Sequence, residues 1–101
     1  SQIFNCGNLT INLENYVVEI DGKPVRLTKK EIEILWTLAA NTNKVFSRDA
    51  LLDKLWGFDF YGDSRTVDSH IKRLRAKLDE HPHEGWDIET IWGVGYKFAV
   101  K

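Results

Sequence analysis

Apolar and polar positions change their spacing along the chain, and each change marks a new kind of element. Leu9, Ile11 and Leu13 alternate with polar neighbours, the period-two pattern of a half-buried strand. After Glu14-Asn15, the run Tyr16-Val17-Val18-Glu19-Ile20 is β-branched and aromatic, and Asp21-Gly22 separates it from Pro24-Val25-Arg26-Leu27. An Asp-Gly pair between two such runs predicts a type I′ hairpin, because both central residues of that turn need positive φ. Pro24 has no N–H to donate, which places it on the outside of an edge strand. Residues 1–27 therefore predict a small antiparallel sheet of three or four strands.

At Thr28 the period becomes helical. Thr28-Lys29-Lys30-Glu31 is a capping box, in which the hydroxyl and the carboxylate each satisfy an orphan amide at a helix start. Ile32, Ile34, Leu35, Trp36, Leu38 and Ala39 cover more than half of the following helix, so it belongs at the centre of the core, and Asn41-Thr42-Asn43 ends it. Ser47 caps a second helix with Asp49 in its first turn; Leu51, Leu52, Leu55 and Trp56 form its apolar side and Gly57 stops it. A loop with three aromatic rings, Phe58-Asp59-Phe60-Tyr61-Gly62-Asp63, leads to a third helix starting at or near Ser64 and running to about Leu78. Residues 28–79 thus predict a three-helix core. Beyond the polar loop Asp79 to Asp87, residues 88–101 predict a hairpin, Ile88 to Trp92 against Tyr96 to Val100 across Gly93-Val94-Gly95. With no repeat and no linker, residues 1–101 read as one α+β domain.

On a helical wheel, Val67, Ile71, Leu74 and Leu78 fall within about 60° of one another, a compact stripe facing the core. Opposite them lie Arg65, Ser69, Lys72, Arg73 and Ala76, long cations alternating with small residues that allow close approach. Composition sharpens this asymmetry. The net charge is only −1, and residues 1–64 hold seven basic and nine acidic residues. Residues 65–77 hold five basic residues against one acid, Asp68, a local excess of +4 that steers polyanions even on a near-neutral molecule. Asp68, four residues before Lys72, reads as its intrahelical partner. A capped helix, a turn, a basic amphipathic helix and a β-hairpin follow the order of a winged helix-turn-helix, a DNA-reading arrangement. The third helix, roughly 20 Å long, fits the ~12 Å major groove of B-DNA.

The run Arg65-Thr66-Val67-Asp68-Ser69-His70-Ile71-Lys72-Arg73-Leu74-Arg75, with Gly93-Val94-Gly95-Tyr96-Lys97-Phe98, resembles the effector domain of the OmpR/PhoB family of bacterial response regulators. Leu27-Thr28 with Glu31, and Leu55-Trp56-Gly57, are similar to that family too, so the likeness covers essentially the whole chain. It implies a winged helix-turn-helix with a four-stranded N-terminal sheet, three helices and a C-terminal hairpin wing, and sequence-specific binding of double-stranded DNA. It also implies that Arg65, Thr66 and Arg75 hold phosphates, with Trp56 and Tyr96 adding contacts to the backbone. Ser69, Lys72 and Arg73 would face base edges, flanked by His70, with Arg73 suited to bidentate reading of guanine. Thr90, Trp92, Tyr96 and Lys97 would belong to a wing near the minor groove. Where the family often places arginine before the tip, this chain has Trp92, which offers no cation; it either lies on sugar rings or covers the core, with Lys97 as substitute charge.

The resemblance further implies a cytoplasmic two-component regulator with a phosphorylated receiver domain outside this chain. It implies a pair of domains on direct repeats, and contact of Phe58, Asp59, Phe60, Tyr61 and Asp63 with RNA polymerase. The same three rings could serve a pure protein-interaction module, against the expectation that at least one folds under the helices.

Other classes find little support. There is no G-x-S-x-G, no H-E-x-x-H and no phosphate-binding loop with lysine, so an enzyme is not expected, nor a cofactor. His81-Pro82-His83 lies in an acidic loop and reads as solvated rather than metal-binding. A single cysteine, Cys6, suits a small buried side chain in a reducing compartment. No apolar run approaches the ~20 residues of a membrane span, and residues 1–10, with no basic start and no long apolar stretch, are not expected to act as a secretory leader.

Overall fold

The computed structural model describes residues 2–57 and 62–101. Its first layer is an antiparallel sheet in the order β1 (Ile3–Cys6), β2 (Leu9–Asn12), β3 (Val17–Ile20), β4 (Lys23–Pro24). Asp21 and Gly22 have φ of 54° and 75°, the signs a type I′ turn demands, and Ile20 pairs with Lys23 across them. Pro24 is exposed on the outer edge. Strand β1 has no counterpart among the runs that periodicity singled out, because neither of its faces is fully buried. Leu9 and Ile11 of β2 and Val18 and Ile20 of β3 point inward and are buried beneath the helices.

Helix α1 (Lys29–Ala39) begins with the expected capping box: Glu31 N donates to Thr28 Oγ1 at 3.2 Å, and Thr28 N to Glu31 Oε1 at 2.8 Å. Its apolar residues are buried, apart from a half-buried Trp36. A two-residue strand β5 (Phe46–Ser47) leads into α2 (Arg48–Trp56), whose N-terminus is closed by Ser47 Oγ accepting from Ala50 N at 3.0 Å. Gly57 ends α2 with φ of 88°. Leu51 of α2 is buried, while Leu52, Leu55 and Trp56 are only partly covered. Helix α3 (Arg65–Leu78) buries Val67, Ile71, Leu74 and Leu78, the four residues of the predicted stripe.

The C-terminal hairpin, β6 (Trp86–Ile91) and β7 (Gly95–Val100), starts two residues before position 88 and gains β5 as a third strand, in the order β5-β7-β6. The early start follows from Trp86, which is buried, stacks on Phe98 at 5.7 Å and donates Nε1 to Asn8 Oδ1 at 3.0 Å. Opposite Ser47, Gly95 lies so close to β5 that a Cβ there would sit 1.9 Å from the Phe46 carbonyl oxygen. Two expectations for single residues need correction. His83 is not solvated: its side chain is 8% exposed and its ring stacks on Trp86 at 3.9 Å. Cys6 is half-buried at the margin of the core rather than enclosed by it. No helix among the described residues is long and apolar enough to cross a membrane.

Candidate nucleic-acid interface

Burial of the aliphatic stripe leaves Ser69, Lys72, Arg73 and Ala76 of α3 exposed together, with Arg65 exposed at the helix start. The helix start is held by Asp63, whose Oδ1 accepts from Arg65 N at 2.9 Å and whose Oδ2 pairs with the Arg65 guanidinium at 2.7 Å. The Arg65 hydrogen bond draws the Asp63 carboxyl below its usual range. Ser64, at the cap position, makes no side-chain capping bond, so Asp63 performs that service from one residue earlier. Thr66 is half-buried, and its carbonyl lies 2.8 Å from His70 Nδ1. The His70 ring meets Trp56 edge-on at 5.0 Å, which ties the end of α2 to the middle of α3. Lys30 of α1 covers that indole from 5.0 Å.

Asp68 departs from its expected role. It does not pair with Lys72. Instead Arg48, the first residue of α2, donates Nε to its Oδ1 at 3.0 Å and Nη2 to its Oδ2 at 2.6 Å. Tyr96 of β7 adds its hydroxyl to Oδ1 at 2.6 Å. A parallel two-bond fork between guanidinium and carboxylate outcompetes a flexible i,i+4 lysine pair, which contributes only about 0.2–0.5 kcal/mol. Lys72 makes no ion pair among the described residues and leaves its charge to the surface. Burial, and then the bond to Asp68, push the Tyr96 hydroxyl up to about 12.

Arg75 is likewise engaged: its Nη1 donates to Thr90 Oγ1 at 2.7 Å, and its guanidinium lies over the Tyr96 ring at 5.6 Å. Beneath α3, the buried Glu31 carboxylate accepts from Lys77 Nζ at 2.7 Å. Its second oxygen is buried without a hydrogen bond, 3.9 Å from Arg73 Nε. Arg73 nevertheless keeps about half of its side chain exposed.

At the hairpin tip Trp92 is 90% exposed, so it does not cover the core. Val94 beside it is exposed as well, and Lys97 is half-buried, 3.9 Å from Glu89. A cleft of about 400 Å³ opens between this tip and the starts of α2 and α3, lined among others by Ser47, Arg48, Asp68, Thr90, Trp92 and Tyr96. The start of α3, through Ser64 and Asp68, and the hairpin tip thus border one cleft. Arg48 escaped the sequence reading because its partner lies twenty residues away and no local spacing signals it. Phe58, Asp59, Phe60 and Tyr61 lie outside the described residues; Asp63 is exposed and bound to Arg65.

The family described as transcriptional regulatory protein, C terminal, matches residues 22–98. The transcriptional regulatory protein SrrA of Staphylococcus aureus is 50% identical over 95 residues, covering 93% of this chain and 39% of that protein. The chain therefore spans about two fifths of the length of that relative. Among solved structures, the Thermotoga maritima response regulator DrrB, an OmpR/PhoB homolog, superimposes with a TM-score of 0.85 at 39% identity, over 98% of this chain and 45% of that one. The Klebsiella pneumoniae RstA DNA-binding domain, crystallised in complex with the RstA box, gives 0.84 at 37% identity over 98% of both chains.

Proposed function

The chain belongs to the OmpR/PhoB-type family of transcriptional regulators, and from that premise we propose that it reads double-stranded DNA by sequence, with α3 in the major groove. The observation that carries this reading is the exposed row of Ser69, Lys72 and Arg73 opposite a fully buried stripe. Small side chains let the backbone approach base edges, and a half-free guanidinium suits the paired acceptors of guanine. His70 flanks the row.

Arg65 and Thr66 border phosphates at the N-terminal end of α3, with Trp56, Arg75 and Tyr96 along the flanks. Arg75 and Tyr96 act there while tethered to Thr90 and Asp68, so their part is to fix the angle between helix and wing. The wing, with Thr90, Trp92 and Lys97, lies near the minor groove; Trp92 meets sugar faces, since it is turned to solvent and brings no charge. Two such domains sit in tandem on directly repeated half-sites. The longer cytoplasmic protein supplies a receiver domain phosphorylated on an aspartate, and the loop from Phe58 to Asp63 meets RNA polymerase. The test is selection of bound duplexes from a random pool, then binding to the selected site and to a scrambled one. Enrichment of a repeated motif at fixed spacing is expected. A pool that stays random, with equal binding to both duplexes, overturns sequence reading.

A further inference from the structure

A second cluster lies at the opposite end of α3 from Arg65. The His83 ring, almost wholly buried on Trp86, has its Nδ1 3.2 Å from the Trp86 carbonyl oxygen and its Nε2 3.1 Å from Asp79 Oδ1. A carbonyl oxygen only accepts, so the proton of the neutral ring belongs on Nδ1. The Nε2 lone pair then faces a carboxylate oxygen, two acceptors with no donor between them. Asp87 brings a second carboxylate: one ligand atom each from Asp79, His83 and Asp87 lie within 4.8 Å of one another.

We propose that these three residues bind a divalent transition-metal ion of the zinc class, through His83 Nε2 and one oxygen from each aspartate, with water completing the shell. Beside a neutral ring, the cation supplies a positive centre between the three converging ligand atoms. A ligating imidazole commonly donates its other N–H to a backbone carbonyl, as Nδ1 does here toward Trp86. A mixed nitrogen and oxygen donor set suits zinc better than calcium or magnesium, which favour oxygen alone.

The surroundings hold the ligands in place. Asn8 accepts from Trp86 Nε1 and donates to the Pro82 carbonyl, both at 3.0 Å, and Lys101 N donates to the Gly85 carbonyl at 2.9 Å. Residues 79–87 contain four acids and no lysine or arginine, so the local field attracts a cation. A bound ion would join the end of α3 to the beginning of β6, the two elements that carry the proposed reading helix and wing.

The experiment titrates this chain with zinc by calorimetry and with cadmium by nitrogen NMR of the imidazoles. One ion per chain is expected, with the His83 Nε2 resonance shifting while Nδ1 stays protonated, and with a melting temperature that climbs with metal concentration. Asp79→Asn and Asp87→Asn should each weaken binding at least about tenfold, whereas His81→Gln should not. His83→Gln should abolish uptake; should that variant lose its fold for want of the ring on Trp86, the two aspartate variants and the wild-type spectra still decide. Absence of saturable uptake, or uptake indifferent to both aspartate changes, overturns the proposal and leaves His83 and Asp79 as an imidazolium–carboxylate pair.

Discussion

Asp68 and Glu31 are carboxylates set among elements distant in sequence, and their partners make both testable by pH. Asp68 receives three donors, two from Arg48 and one from Tyr96. Because the Tyr96 hydroxyl is raised from 10.0 to about 12, its contribution to stability is complete below pH 10 and fades as pH rises through about 12. Alkaline titration of tyrosinate absorbance should show a component near that upper value, absent in Tyr96→Phe; a wild-type curve without it would break the assignment. Glu31 is pushed up by burial, but hydrogen bonds from Lys77 and Thr28 outweigh that and hold it below the usual carboxylate value of 4.5. A lowered carboxylate stabilises the fold above its unfolded value, and the benefit disappears as pH falls through the folded one. Glu31→Gln should therefore lose stability at neutral pH and flatten the acid limb, read as urea midpoints across pH. The capping box of Glu31 was legible because its partner stands three residues away. Lys77, forty-six residues on, left no trace in local spacing. Asp68 misled for a related reason: the i,i+4 rule names Lys72, while the stronger fork comes from a helix packed alongside.

Elements with a strong period were read to their ends. Val67, Ile71, Leu74 and Leu78 repeat over about three turns, and α3 runs from Arg65 to Leu78, within the span the sequence predicts. Strand β5 has two residues and no period to detect; it exists because β7 runs beside it. The proposed division of labour within α3 also belongs to this scale. Arg73→Ala should cost on the order of 1–3 kcal/mol at one base pair and relax preference there, as seen by repeating the duplex selection. Arg65→Ala should weaken every sequence alike. Uniform loss from both substitutions would show that reading and positioning are not separated along the helix.

Over the whole molecule, a net charge of −1 hides a field concentrated on one helix. Attraction to DNA then comes from few groups and should be screened accordingly. If about five phosphates are neutralised per domain, log K should fall against log salt with a slope near −4 to −5. Fluorescence anisotropy across a salt series gives that slope directly, and a flat response would remove DNA as the partner. The expected sheet, three helices and hairpin were recoverable because each local signal agreed with the others. The hub joining Arg48, Asp68 and Tyr96 was not, since it arises only once three elements meet.

The contact beneath the wing has an evolutionary corollary. At position 95 there is room for a hydrogen and nothing larger, because the Phe46 backbone occupies the space a methyl would need. Gly93, with φ of 78°, is held to glycine by conformation. Variation at the tip is thus channelled into Trp92 and Val94, whose side chains touch little of the body. A descendant of this chain could exchange those two residues to suit a different target while inheriting the rung below unaltered.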